Sequence, residues 1–192
     1  MAECAGGKLR VVDVDAGVEV ATLDAHADAM AVLLDGRVAT ASASKVQLWD
    51  VGTGACVSTL MGHTDGITSL VVLADGRLAS GSSLDGTVRL WDTASGTCIR
   101  VLSDHKYWYA VKTLAVLSGN QLASVSDNCG YVIRVWDTRD EADGAGGALA
   151  RPPLLIESEV GCAIVPLPGN RLATGGGGGM CIWQLPAPRN TS

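Results

Sequence analysis

The chain has 192 residues and a formal charge of −6, with no cluster of Lys and Arg along it, so a surface that neutralises nucleic-acid phosphates is not expected. Hydrophobic residues make up 47%, yet no apolar run reaches the roughly 18 residues of a membrane span. The first ten residues hold no apolar stretch of the kind a secretory signal needs.

The chain has 24 Gly and no Phe, so Val, Leu, Ala and Trp must carry the packing between many tight turns. Six cysteines, at 4, 56, 98, 129, 162 and 181, form no Cys-x-x-Cys pair. They read as buried, reduced thiols, which points to the cytoplasm or nucleus.

In chain order, residues 1–6 read as a loose terminus. Residues 8–13 and 18–23, parted by Asp15-Ala16-Gly17, read as two strands of a sheet whose first two are missing. The block 24–60 follows, running from His26 through Trp49-Asp50 to Leu60. It is compressed, because Asp35-Gly36 comes 9 residues after His26, against 12 between His63 and Asp75. Ala43-Ser44 stands where a second Asp-Gly is expected.

The block 61–102 is the fullest copy. Its apolar, β-branched runs 67–73, 77–82 and 87–91 are separated by Asp75-Gly76 and Asp85-Gly86, and a fourth run, 97–102, follows Ala94-Ser95-Gly96. Asp-Gly between alternating runs signals hairpins, because Gly supplies the positive φ of a tight turn. The block therefore predicts a four-stranded antiparallel meander.

The block 103–157 begins near His105, passes Trp136-Asp137 and is expanded, after His105 and again near residues 128–131. The segment 138–153 links its third strand to its fourth as a long loop whose acidic stretch, 140–143, reads as solvated. A partial copy, 158–186, keeps Trp183 but has Gln184 in place of Asp. The five-glycine run 175–179 lacks the Lys-Ser or Lys-Thr of a phosphate loop, and a strand-like Met180-Cys181-Ile182-Trp183 follows it.

Trp49, Trp91, Trp136 and Trp183 are spaced by 42, 45 and 47 residues, and three of them precede Asp. A His stands 23 to 31 residues before each of those three, and His63 follows Gly62. The chain resembles the WD40-repeat family over nearly its whole length. The resemblance implies an all-β fold, a β-propeller of four-stranded blades forming one domain over 1–192. Seven blades would need about 300 residues at this period, so an incomplete propeller or open arc of four to five blades is expected.

The resemblance also implies a buried hydrogen-bonded tetrad, which falls on His63, Ser80, Asp85 and Trp91. The block 103–157 offers His105, Ser124, Asp127 and Trp136. The compressed block offers His26, Thr40 and Trp49 with no Asp, and the last copy only Thr174 and Trp183. All three histidines of the chain are thereby given a structural role. No catalytic residue, cofactor motif or metal-ligand cluster is read from the rest.

One cluster lies outside the repeat. Trp108 sits in Lys106-Tyr107-Trp108-Tyr109, and the expanded hairpin holding Asn128 and Tyr131 emerges on the same face of the blade. Aromatic residues beside a cation anchor protein interfaces at low entropic cost, although the same rings could cover an imperfectly packed blade. The expected function is a non-enzymatic scaffold that binds other proteins within a larger complex, with completion by another chain or by self-association as a further expectation. Substrate recognition in a ubiquitin ligase is the alternative, and a propeller enzyme or lectin is a more distant one.

Overall fold

The computed structural model describes residues 2–5, 7–13, 15–103, 110–118, 120–127, 131–139, 154–158, 163–176 and 179–186. His105, Lys106, Tyr107, Trp108, Tyr109 and Asn128 lie outside the described residues, as does the acidic stretch 140–143.

Every element among the described residues is a strand, and each strand pairs antiparallel with its neighbour in sequence within a sheet. The first sheet holds β1 (Ala2–Ala5), β2 (Lys8–Asp13) and β3 (Val18–Leu23). The second holds β4 (Ala29–Val32), β5 (Val38–Ser42), β6 (Lys45–Trp49) and β7 (Cys56–Met61). The third holds β8 (Ile67–Val72), β9 (Leu78–Ser82), β10 (Val88–Asp92) and β11 (Thr97–Leu102). The fourth holds β12 (Ala110–Leu117), β13 (Gln121–Asp127), β14 (Tyr131–Asp137) and β15 (Leu154–Ser158). The fifth holds β16 (Ala163–Leu167), β17 (Arg171–Gly176) and β18 (Gly179–Gln184).

The expectation of a loose segment at residues 1–6 is corrected. β1 pairs with β2 from Ala2↔Val11 to Ala5↔Lys8, so the first sheet lacks one strand, not two. Ala and Glu are weak strand formers, but Gly7, at φ +80°, turns the chain back so that β1 completes a hairpin ladder.

Two turns recur and explain the spacing of the repeats. Between the first two strands of the second and third sheets, Leu33 and Leu73 donate their amides to Arg37 and Arg77, with Gly36 and Gly76 at φ +88°. Asn120 (φ 59°) and Asn170 (φ 56°) take the glycine's place in the fourth and fifth sheets, Asn being the residue after Gly that best tolerates this region. Between the third and fourth strands, the amides of Gly17, Gly54 and Gly96 each donate at 2.9 Å to the carbonyls of Asp13, Asp50 and Asp92. Side chains of the same three Asp accept amides of the turn, from Asp15, Thr53 and Ala94. The Asp after Trp49 and the Asp after Trp91 are therefore turn residues, and Asp13 plays the same part in the first sheet although Val12 stands where Trp would be.

The sheets stack face to face in chain order and form an open arc of WD40-like blades. Between the second and third, Leu33, Ala39, Val46, Leu48 and Leu60 meet Ile67, Leu70, Leu78 and Trp91. The next interface sets Leu73, Ala79, Val88 and Leu90 against Val111, Leu114, Leu122 and Trp136. The one after sets Ala115, Val125, Ile133 and Val135 against Ile164, Leu172 and Leu185. Leu9 and Leu23 of the first sheet cover Val38 and Trp49. Each fully buried side chain of this size contributes on the order of 1.5–3 kcal/mol, so the arc is held by its inter-sheet faces.

Arginines staple the same interfaces at their rims. Arg37 donates to the Thr93 carbonyl at 3.1 Å and Arg77 to that of Thr138 at 2.6 Å, each reaching from one sheet to the next. Both are aimed by the carboxylate two residues earlier, Asp35 and Asp75.

Candidate functional site

In four sheets the third-strand Trp lies opposite the same rung of the second strand: Val38↔Trp49, Leu78↔Trp91, Leu122↔Trp136 and Leu172↔Trp183. That register points each indole N–H at the hydroxyl two residues further along. Trp49 donates to Thr40 at 2.9 Å, Trp91 to Ser80 at 2.8 Å, Trp136 to Ser124 at 2.8 Å and Trp183 to Thr174 at 3.0 Å. All four hydroxyl residues are buried, where an unpaired polar group would be costly.

The third sheet extends this pair into a chain. The His63 side chain is completely buried, with Nε2 at 2.6 Å from Ser80 Oγ and Nδ1 at 2.6 Å from Asp85 Oδ2. Asp85 also accepts the Thr87 amide at 2.8 Å, the Thr87 hydroxyl at 2.9 Å and the Thr64 amide at 3.2 Å. One proton arrangement satisfies every member: Trp91 N–H to Ser80, Ser80 O–H to His63 Nε2, and His63 Nδ1–H to Asp85. The chain ties the loop before β8 to β9, to the hairpin after it and to β10.

Local sequence puts His63 there. A β-carbon on Gly62 would stand 2.7 Å from Arg89 Nη1 and 3.2 Å from Trp91, so Gly lets the loop close over the indole without displacing either side chain. Burial by itself would raise the Asp85 carboxyl, but hydrogen bonds from His63 and Thr87 overcome it and hold the group well below the ordinary carboxylate range.

The other repeats keep part of the arrangement. His26 is corrected: it is exposed, and among the described residues no hydrogen bond joins it to Thr40 or Trp49, which are bonded to each other. The compressed block has no counterpart of Asp85, so nothing anchors an imidazole, and its shorter loop does not carry the ring inward. In the fourth sheet Ser124 and Trp136 are bonded, and Asp127 lies at the end of β13 with Lys112 Nζ at 3.8 Å, both side chains substantially exposed. Its expected partner His105 lies outside the described residues. Tyr131 is half-buried against the core between the fourth and fifth sheets.

Sequence reasoning missed Thr87 as a further donor to Asp85. The signal was present, since Thr87 follows Asp85-Gly86 by one residue, where its amide can reach back to the carboxylate.

Histidine, serine and aspartate are linked here as in hydrolytic triads. Ser80 is 0% exposed and its oxygen is engaged by Trp91 as well as by His63, so no substrate reaches it. Among the described residues no group of three or more His, Cys, Asp or Glu is placed to hold a metal ion. Of the five-glycine run, Gly175 and Gly176 end β17 and Gly179 opens β18, with Gly176 opposite Gly179.

No curated protein matches the chain. Residues 54–92 match the family model of the WD domain, G-beta repeat, a span that contains His63, Ser80, Asp85 and Trp91 together. Residues 54–92 are thus similar to one WD40 repeat, and the Trp–hydroxyl pair of that repeat recurs in three other sheets of the chain.

Proposed function

We propose that the chain is a non-enzymatic scaffold that holds other proteins within a larger complex, with Lys106, Tyr107, Trp108 and Tyr109, flanked by Asn128 and Tyr131, as its anchor. WD40 repeats in general are protein-interaction modules. The observation that carries the reading is the enclosed His63–Asp85–Ser80–Trp91 chain. The side chains most suited to chemistry are spent on fixing loops to strands, and a rigid frame with fixed loops is a binding device.

The arginines favour this over capture of phosphorylated segments for a ubiquitin ligase. Arg37, Arg77 and Arg139 each turn back onto the Asp two residues earlier. Arg37 and Arg77 also reach carbonyls of the next sheet, so their guanidinium groups serve the frame. A reducing compartment, cytoplasm or nucleus, goes with this reading, in keeping with free thiols at Cys56, Cys98 and Cys181, although Cys56 is exposed and the other two are half-buried where buried thiols were expected.

The test is affinity purification of the full chain with mass spectrometry, run beside Trp108→Ala and thermal melts of both. Partners recovered with the wild type and lost with the variant, at unchanged melting temperature, are the expected result. Equal recovery with both proteins removes the anchor.

A further inference from the structure

Two departures from the repeat meet in one cavity. Between the second and third sheets, at the end of the strands opposite His63, a cavity of about 340 Å³ is walled by Leu33 and Leu34, by Asp75 and Arg77, and by Asp92 and Ala94. The first pair belongs to the turn from β4 to β5 and the second to the turn from β8 to β9. The third closes β10 and begins the turn into β11.

Leu34 is the first departure. Its place after the leading Leu of the turn is held by Ala74, Ser118 and Pro168 in the third, fourth and fifth sheets. Leu34 is 71% exposed, and its Cδ1 lies 3.7 Å from where a β-carbon on Gly76 would stand. It therefore leans across to the next sheet and forms an apolar wall.

Ala94 is the second departure. In the fourth sheet Arg139 stands two residues after Asp137, as Ala94 stands two after Asp92, and its Nε and Nη2 both donate to the Asp137 carboxylate, Nε at 2.9 Å. Asp92 accepts the amides of Ala94 and Ser95 at 2.8 and 3.3 Å, and among the described residues no Lys or Arg pairs with it. The other carboxylates at the cavity are already matched, Asp35 by Arg37 at 2.8 Å and Asp75 by Arg77 at 2.9 Å. One negative charge is left beside an apolar wall, in the space that an Arg at position 94 would fill.

We infer that this cavity receives an arginine side chain of a partner protein, its guanidinium on the Asp92 carboxylate and its aliphatic stem along Leu34. The fourth sheet makes the same contact within the chain, since Arg139 supplies there what Ala94 omits. Arginine suits the site better than lysine, because its planar fork meets a carboxylate through two N–H groups while its methylenes cover apolar surface. The chain's charge of −6 complements a basic partner. This gives the scaffold reading a second contact, at the other end of the sheets from His63, and its test does not involve Trp108.

Titration of the full chain with acetyl-arginine amide, followed by NMR through the backbone amide shifts, tests this. Saturable shifts centred on Leu34, Gly76, Thr93 and Ala94 are expected. Acetyl-citrulline amide, which keeps the shape without the charge, is expected to produce none. Asp92→Asn should weaken binding roughly tenfold, and Ala94→Arg, which rebuilds the contact of the fourth sheet and fills the cavity, should abolish it. Ile182→Ala, in the fifth sheet, should leave it unchanged. Thermal melts matching the wild type show that each variant folds. Absence of saturable shifts at these residues overturns the inference. So do equal binding of acetyl-citrulline amide, which would mark an apolar occupant, equal binding of acetyl-lysine amide, or binding that survives both Asp92→Asn and Ala94→Arg.

Discussion

Val111 occupies the space that a side chain at Gly81 would need. A β-carbon on Gly81 would stand 2.6 Å from Val111 Cγ1, and Leu114 closes in at 3.6 Å. Thr68 fastens the approach, donating to the Gly81 carbonyl at 3.1 Å and sharing its hydroxyl with that of Val111. The third and fourth sheets are thus pressed together at a strand glycine whose role is space, not turn geometry. Gly81→Ala is expected to destabilise by roughly 1–3 kcal/mol through overpacking. Chemical denaturation checks it, with the midpoint falling at an unchanged slope.

The His63 chain is expected to behave as a unit. His63→Ala and Asp85→Ala each leave buried partners unpaired and are expected to cost roughly 1–3 kcal/mol. The double variant should cost clearly less than the sum, because either change breaks the same chain. Thr40→Ala, which removes a two-member pair, is expected to cost about 1 kcal/mol. Thermal melts of the four variants, with additive losses or melts indistinguishable from wild type, would contradict this account.

Much of the frame was legible in the sequence because the repeated residues have local reasons to be there. Asp92 and Gly96 close one turn and Gly76 another, and the register places Trp91 over Ser80. His26 was misread because family position says nothing about whether an anchor for the ring exists. The ring at His63 is held by Asp85, and the compressed block has no such carboxylate. β1 was missed because its stability comes from pairing with β2, a property of the hairpin and not of Ala or Glu. The exposure of Met180 and Ile182 was beyond sequence reading, since the same apolar residues are buried one sheet earlier and only the stacking distinguishes them.

Asp85 makes the fold sensitive to acid in a definite direction. Its carboxyl is held below the ordinary value of 3.8 in the folded chain. A depressed carboxyl contributes stability that is fully present above that ordinary value and is lost as pH falls through the folded one. Asp85→Asn removes this contribution at neutral pH. The stability gap between wild type and Asp85→Asn is therefore expected to be widest above about pH 4 and to narrow as pH is lowered further. The other carboxyls held low by Arg partners, such as Asp35 and Asp75, are common to both proteins and cancel in the difference. Denaturation midpoints of the pair measured across the acid range give the answer, and a gap that stays constant or widens toward low pH would rule the linkage out.

Ala43 carries strain that one substitution can relieve. It turns β5 into β6 at φ 48°, a left-handed conformation, where the third sheet has room for Asp85-Gly86. Left-handed backbone costs an L-residue roughly 1–2 kcal/mol. Replacement by Gly removes that cost but loosens the unfolded chain, which takes back about 0.4–1 kcal/mol. The Ala43 carbonyl, which accepts the Ile67 amide at 2.8 Å, belongs to the backbone and is kept. Ala43→Gly is therefore expected to stabilise the protein by about 0.5–1 kcal/mol and to raise its melting temperature. Ala43→Val, whose β-branch tolerates the left-handed region least, is expected to lower it. Melting temperatures in the opposite order would show that the turn is not strained at Ala43.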